Sequence, residues 1–360
     1  MKKLLSVLLA ATLLTFGLVG CSKGNEAPAK SDVNAAVFYY NFADVYITSV
    51  RASVDKLLTE AGIKFQNLDG QNNQANQLEQ VKTAITNGAN LLIVNIVETS
   101  SPDAAQNVVN AAKEKNIPVI FFNREVSDDV VKSYENCAFV GTDAPEAGHK
   151  QGALIAEQLL ADYDKYDLNK DGKISYVMFK GQEGNAEAEF RTQFAVEDAD
   201  AALVKGGKAK LEFYDAKNTK KYLVDQNGAW SSQAANDYMT TILAEYTEAN
   251  KNMVELVIAN NDGMAEGAIS ALQTAGYNKG EGKMIPVYGV DAVDSAKALI
   301  DAGKMSGTIK QDAEGMASTI VTLAKNVASK AKLMDNTSSF NVDKGVNKIR
   351  VPYGTYTKKA

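Results

Sequence analysis

Two arrangements of oxygen-bearing side chains in this sequence could do chemistry. The first is the run Asp167-Leu168-Asn169-Lys170-Asp171-Gly172-Lys173-Ile174-Ser175. Oxygen donors at loop positions one, three and five, Gly at six for a sharp turn and a donor at nine match the EF-hand calcium loop; position seven would offer the carbonyl of Lys173. Calcium is a hard cation that takes about six to eight oxygen ligands, and this spacing wraps them around one point. Position twelve, where that loop places a bidentate Glu, is Met178, in a stretch that reads as a strand. Either the loop is a plain polar turn, or a carboxylate from elsewhere in the chain completes the shell.

The second arrangement is spread along the chain. Four apolar runs end on amide or carboxylate side chains: 93–95 on Asn95, 119–123 on Asn123, 257–262 on Asn260, Asn261 and Asp262, and 287–291 on Asp291. Such runs read as strands buried on both faces of a parallel sheet, and in open α/β sheets ligands bind in the crevice outside the carboxyl ends of the strands. Asn and Asp placed there repeatedly predict a site for a hydroxyl-rich small molecule.

Positioning these residues requires an α/β scaffold, and the hydrophobic pattern predicts one. Strands at 36–40, 64–68, 91–97, 119–123 and 138–140 alternate with helices at 47–61, 72–87 and 104–115. After a helix at 146–163 the rhythm restarts with strands at 174–180, 210–214, 256–260 and 286–290 and helices near 186–196, 232–245 and 265–276. Two consecutive runs predict two doubly wound, parallel-sheet lobes with a cleft between them. The amide-rich stretch 72–80 keeps Ala75 and Leu78 at helical spacing, so it reads as a solvated helix face.

The chain has 360 residues and a formal charge of −6, with no basic patch, which argues against a nucleic-acid partner. Lys2 and Lys3, an apolar stretch at 4–18 and the tetrapeptide Leu18-Val19-Gly20-Cys21 resemble a bacterial lipoprotein signal. The resemblance implies a signal peptide at 1–20, cleavage before Cys21 and lipid on its sulfur. Residues 21–34, rich in Gly, Pro, Ala, Lys and Ser without apolar periodicity, read as a flexible tether. What remains suits two domains. Cys137 reads as a core residue, and one histidine, His149, leaves little scope for a His-based triad or a multi-histidine zinc site.

The segments PVIFFNRE at 118–125, YENCAFVGTD at 134–143, the DLNKDG loop, VELVIANNDGMAEGAISAL at 254–272, IPVYGVDAV at 285–293 and KIRVPY at 348–353 carry a resemblance. Together they resemble the galactose/glucose-binding proteins of bacterial ABC sugar importers, over about 37–353. The resemblance implies a type I periplasmic binding protein with a three-crossing hinge. It places 35–142 and 311–347 in an N-terminal lobe and 143–310 and 348–360 in a C-terminal lobe. It implies a monomer in the cell envelope with an ABC permease as partner, a chemoreceptor as a further one, and no catalysis. It also implies that Glu255 completes a structural calcium site with Asp167, Asn169, Asp171, the Lys173 carbonyl and Ser175.

Sugar contacts implied by the same resemblance are Asp44, Tyr46, Asn123, Asn185, Glu187, Arg191, Trp230, Asn261, Asp291 and Gln311. Three depart from the family pattern: Asn185 replaces a His, Glu187 an Asp and Gln311 an Asn, which leaves the identity of the monosaccharide open between D-glucose, D-galactose and other sugars. The residue types suit a pyranose on physical grounds. Aromatic rings cover its C–H faces, while Asp, Asn and Arg pair with the hydroxyl rim. Plainer readings exist beside these: Tyr46 as a surface residue, Trp230 as core, Asn261 as a helix cap, Arg191 as an ion-pair partner of Glu187, and Asp143 and Asp262 as caps or hinge contacts. A sugar-active enzyme would need a positioned carboxylate pair, for which Asp44 and Glu187 are the candidates.

Overall fold

The computed structural model describes residues 31 to 358, so the signal peptide, Cys21 and most of the expected tether lie outside the described residues. The first run comprises β1 (Asn34–Tyr39), α1 (Val45–Glu60), β2 (Lys64–Asp69), α2 (Gln74–Thr86), β3 (Leu91–Val94), α3 (Pro102–Lys113), β4 (Val119–Phe122), α4 (Asp128–Lys132) and β5 (Cys137–Gly141). The second comprises α5 (Ala144–Ala161), α6 (Tyr163–Tyr166), β6 (Ser175–Lys180), α7 (Ala186–Lys205), β7 (Glu212–Phe213), β8 (Leu223–Val224), α8 (Ser232–Glu245), β9 (Leu256–Ala259), α9 (Asp262–Thr274), β10 (Val287–Asp291), α10 (Asp294–Asp301) and β11 (Gly307–Lys310). The chain closes with α11 (Ala313–Ala328), β12 (Asn341–Val342), β13 (Lys348–Arg350) and β14 (Gly354–Thr357).

Two seven-stranded sheets result, ordered β12-β13-β5-β4-β3-β1-β2 and β14-β11-β10-β9-β6-β7, with β8 pairing β6 off the second path. Pairing is parallel except at one edge of each sheet, where β12 meets β13 and β14 meets β11 antiparallel. Strands β3, β4, β5 and β9 are buried along their whole length, which is why they read as unbroken apolar runs. Each sheet is covered on both faces. In the first, Tyr39, Ile93 and Phe122 pack toward α1 and α11, while Phe38, Leu92 and Phe121 pack toward α2 and α3. This is the doubly wound, two-lobe architecture expected of a type I periplasmic binding protein. Among the described residues, no helix is long and apolar enough to cross a membrane.

Three details differ from the sequence reading. The segment 348–350 joins the first lobe rather than the second, because β13 pairs in parallel with β5 through Lys348↔Phe139 and Ile349↔Val140. The third crossing therefore falls between Arg350 and Gly354. The tether ends earlier than 34: Val33 is buried and Asn34 already pairs with Lys64. The amide-rich helix is not wholly solvated, since Gln77 is buried, donating to the Asn95 carbonyl and accepting from Val97 N–H. Cys137 is buried in β5, and burial pushes its thiol up to about 12. His149 lies at the surface, paired with Asp198 at 2.7 Å and stacked on Phe194.

Candidate functional site

The carboxyl ends of β1 and β4 face those of β6, β9 and β10 across the gap between the lobes. They border a pocket between the lobes. All ten residues named as sugar contacts border it: Asp44, Tyr46 and Asn123 from the first lobe, Asn185, Glu187, Arg191, Trp230, Asn261 and Asp291 from the second, and Gln311 at the second crossing. Asp44 and Asn123 are half-buried and the other eight are buried. The lobes touch beyond the cavity, where Asn185 Nδ2 donates to Thr99 Oγ1 at 3.3 Å and Asn72 Nδ2 donates to the Asn227 carbonyl. The conformation is closed.

On the first-lobe wall, Asp44 ends the turn after β1 and caps α1, its Oδ1 accepting from Ile47 N–H at 2.8 Å while Oδ2 accepts from the Tyr40 hydroxyl at 2.6 Å. Two residues later Tyr46 points inward and is buried, not on the surface. Asn123 follows β4 in the left-handed region at φ 63, and its Oδ1 accepts from Asn95 Nδ2 at 3.1 Å. The structure adds Tyr40, Ile47 and Arg124, which the sequence reading missed. The Arg124 guanidinium stacks 3.4 Å over the Tyr40 ring and donates to the Val97 carbonyl, leaving one terminal nitrogen without a partner. A cation directly after the strand-ending Asn123 was the signal available for it.

On the second-lobe wall, Asn185 caps α7 through Ala188 N–H, which puts Glu187 in the first turn and Arg191 one turn further along the same face. Neither carboxyl oxygen of Glu187 has a partner. Burial, reinforced by Glu125 of the other lobe, raises its carboxyl to about 7 against the opposing pull of Arg191 and Arg124. Arg191 does not pair with Glu187. It donates to the Asn260 carbonyl, Gln311 Oε1 and the Tyr353 hydroxyl, each at 2.9 Å, and its Nε has no partner. Trp230 sits at φ 56 with its indole N–H unpaired, and a Cβ on Gly181 would fall 2.1 Å from its ring, so that glycine is required there.

Asn261 both caps α9 through Met264 N–H and donates to the Trp230 carbonyl, so the cap reading holds alongside its place on the wall. Asp291 ends β10 at φ 127, and burial holds its carboxyl well above the ordinary range; Arg191 opposes this, while Asp262 and Asp44 add to it. Behind it Asp262 accepts from Thr308 and Val293, a supporting rather than lining role. Asp143 stands at the N-terminus of α5 without a side-chain cap bond. Three wall residues thus hold left-handed backbone that non-glycine residues seldom adopt, a feature concentrated at binding sites. The polar groups can exchange hydrogen bonds with hydroxyls in a ring plane. No Ser, Cys, Lys or His is among the described residues bordering the cavity.

The loop at 167–175 closes on Glu255. Its Oε1 accepts from Leu168 and Asn169 N–H and its Oε2 from Ser175 N–H at 2.8 Å, so the carboxylate of a residue distant in sequence is hydrogen-bonded to the loop backbone. Asp167 accepts from Asp171 and Gly172 N–H, and Asp171 from Lys173 N–H. Ser175 Oγ donates to the Met253 carbonyl instead of facing the loop. Among the described residues, no three Asp, Glu, His or Cys side chains converge at metal-ligand distance. The donor types fit calcium, with Asn169 and the Lys173 carbonyl as neutral oxygens.

Known proteins agree with this geometry. Residues 35–332 match the model of the periplasmic binding protein domain. The chain is 35% identical over 329 residues to the D-galactose/methyl-galactoside binding periplasmic protein MglB of Haemophilus influenzae, covering 91% of this chain and 90% of that protein. It is 28% identical to a putative rhizopine-binding protein of Rhizobium meliloti, covering 88% and 87%. Among solved structures, an ABC transporter solute-binding protein from Clostridium phytofermentans with bound β-D-glucose superposes with TM-score 0.69 at 23% identity, covering 90% and 94%. One from Bacillus halodurans with bound myo-inositol gives 0.67 at 23% identity, covering 92% and 96%. With that fold, that cavity and a domain match over most of its length, the chain belongs to the periplasmic binding protein family.

Proposed function

We propose that this chain is the substrate-binding protein of an ABC importer and that it closes its two lobes around a monosaccharide, D-glucose or D-galactose. The observation that carries this reading is the closed cavity whose polar atoms lack partners: both Glu187 oxygens, Arg191 Nε, Trp230 Nε1, Gln311 Nε2 and an Arg124 nitrogen. A buried polar atom without a partner costs about 1–3 kcal/mol, and a sugar, whose hydroxyls both donate and accept, relieves that cost at several atoms together. The galactose binder of Haemophilus influenzae supports the sugar class. Ligand contacts from both lobes exist only when closed, so the ligand favours closure by differential affinity, and the permease recognises the closed form.

Calcium in the Asp167 loop has a structural role in this reading. Asp167, Asn169, Asp171, the Lys173 carbonyl and Glu255 would hold it, tying the loop to the start of β9, while the Ser175 hydroxyl is turned to Met253. Lipid on Cys21 keeps the protein at the envelope beside its permease, and a chemoreceptor is a second listener to the closed form. The chain catalyses nothing on the bound sugar.

Isothermal titration of the chain from Ser22 onward, freed of carried-over sugar by partial unfolding and dialysis in calcium buffer, tests the ligand. One-to-one binding of D-glucose or D-galactose with a dissociation constant below about 10 μM, or about −7 kcal/mol, is expected. Absence of heat with both, beside binding of myo-inositol or D-ribose, would reassign the ligand. Turnover of a chromogenic glycoside would overturn the reading altogether.

A further inference from the structure

Each of the three segments that cross between the lobes contributes one buried side chain to a network centred on Arg191. Thr142 follows β5, Gln311 follows β11 and Tyr353 precedes β14. One terminal nitrogen of Arg191 donates to both Gln311 Oε1 and the Tyr353 hydroxyl at 2.9 Å, and the Tyr353 and Thr142 hydroxyls share a hydrogen bond of 2.8 Å. Arg350 closes the circuit by donating to the Thr142 carbonyl at 2.7 Å. Tyr353 does not border the cavity, yet it holds the guanidinium of Arg191, which does border it and whose Nε is unpaired.

We infer that Tyr353 is a positioning residue that couples ligand capture to the hinge, by fixing Arg191 against all three crossing segments at once. The inference rests on the reading of the cavity as a ligand site. Both terminal nitrogens of Arg191 are committed to the protein, one to Asn260 and one to the hinge, so Nε is aimed by them. Lobe opening is absorbed by backbone rotation at crossing segments, and such rotation displaces Tyr353, Gln311 and Thr142 relative to one another. A ligand that engages Nε therefore gains its full contact only at the closed setting of the hinge.

The test compares wild type, Tyr353→Phe, Thr142→Val and the double variant. Leaving a buried donor unpaired weakens binding about 5- to 100-fold, so D-glucose or D-galactose affinity is expected to fall by that much in Tyr353→Phe, mostly through faster dissociation. The double variant is expected to lose at most about threefold more than Tyr353→Phe, because both changes cut one chain of hydrogen bonds. Without ligand, amide exchange at 141–143, 310–312 and 351–354 is expected to rise in Tyr353→Phe while β2 and α2 stay unchanged. A role confined to stability would lower the melting temperature but leave affinity and hinge exchange at their wild-type values, and that result overturns the inference. Should wild type bind neither sugar, the ligand reading fails on its own, and ligand-free exchange at the hinge decides this one. Should Tyr353→Phe not fold, Thr142→Val cuts the same chain with little change of shape.

Discussion

The cavity and the Asp167 loop are built from the same kinds of side chain and leave them in opposite states. In the loop, every carboxyl oxygen of Asp167, Asp171 and Glu255 accepts a hydrogen bond from within the protein. In the cavity, both oxygens of Glu187 accept none, and donors on Arg191, Trp230, Gln311 and Arg124 are likewise unpaired. Buried polar groups in folded proteins are nearly all paired, so a cluster of exceptions marks a place where something else supplies the partners. The loop thus pairs its carboxylates within the chain, whereas the pocket leaves polar atoms without partners.

The largest test of that contrast is Arg191→Met. Removing a buried charge that sits between ligand and hinge is expected to weaken sugar binding at least about 100-fold by titration, in line with the cost of truncating buried charged partners. Near-wild-type affinity would mean that the unpaired atoms do not face a ligand. Next comes Trp230→Ala, for which a loss of about 10- to 100-fold is expected, from lost stacking and lost apolar burial together. Retained affinity there would return Trp230 to the plain core.

The loop should respond differently. Calcium at one hundred times its dissociation constant is expected to stabilise the chain by about 2.7 kcal/mol, so a chelator lowers the melting temperature by about 5 °C and leaves sugar affinity within about threefold. In Glu255→Gln the chelator shift disappears. Equal melting temperatures with calcium and chelator in wild type would make the loop a plain turn.

The smallest expected effect concerns pH. Burial raises the Glu187 carboxyl to about 7, so the ligand-free native state holds a proton that the unfolded chain releases near its ordinary value of 4.5. This group's contribution to stability is full below about 4.5 and is lost as the pH rises toward 7. Asp262, raised to about 7 chiefly by burial, acts in the same direction. Denaturant titrations of wild type between pH 4.5 and 7 are expected to show falling stability, and Glu187→Gln is expected to flatten that fall partly, leaving the shares of Asp262 and Asp291, whose carboxyls burial also raises. An unchanged slope would show that Glu187 is paired after all.

Asn123, Asn261 and Asp291 were legible in the apolar runs that end on them, while the other seven named wall residues came only through the resemblance of the quoted segments. Asn123 and Asp291 end apolar runs, and Asn185 and Asn261 open helices, which is also why they double as wall and cap. Tyr40 and Arg124 were missed because their place depends on each other: an arginine becomes part of the wall by stacking on a ring contributed by another strand. The placement of Lys348–Arg350 failed for a related reason. Three residues at a sheet edge carry no mark of which sheet they join, and only pairing with distant β5 decides it. The unpaired state of Glu187 was beyond reach in the same way, since it depends on what both lobes fail to bring near it.

The last strands have a consequence for how the molecule comes into being. The first sheet receives β13 and the second receives β14 only from the final stretch of the chain, and α11 returns to cover the first lobe shortly before. During synthesis the amino-terminal half therefore cannot finish folding ahead of the carboxyl-terminal half, as sequential domains do. A ribosome that stops before residue 350 releases a polypeptide with two unfinished sheets and two open edges, not one sound lobe and one broken one. Each lobe's sheet thus takes a strand from the segment after Asn347.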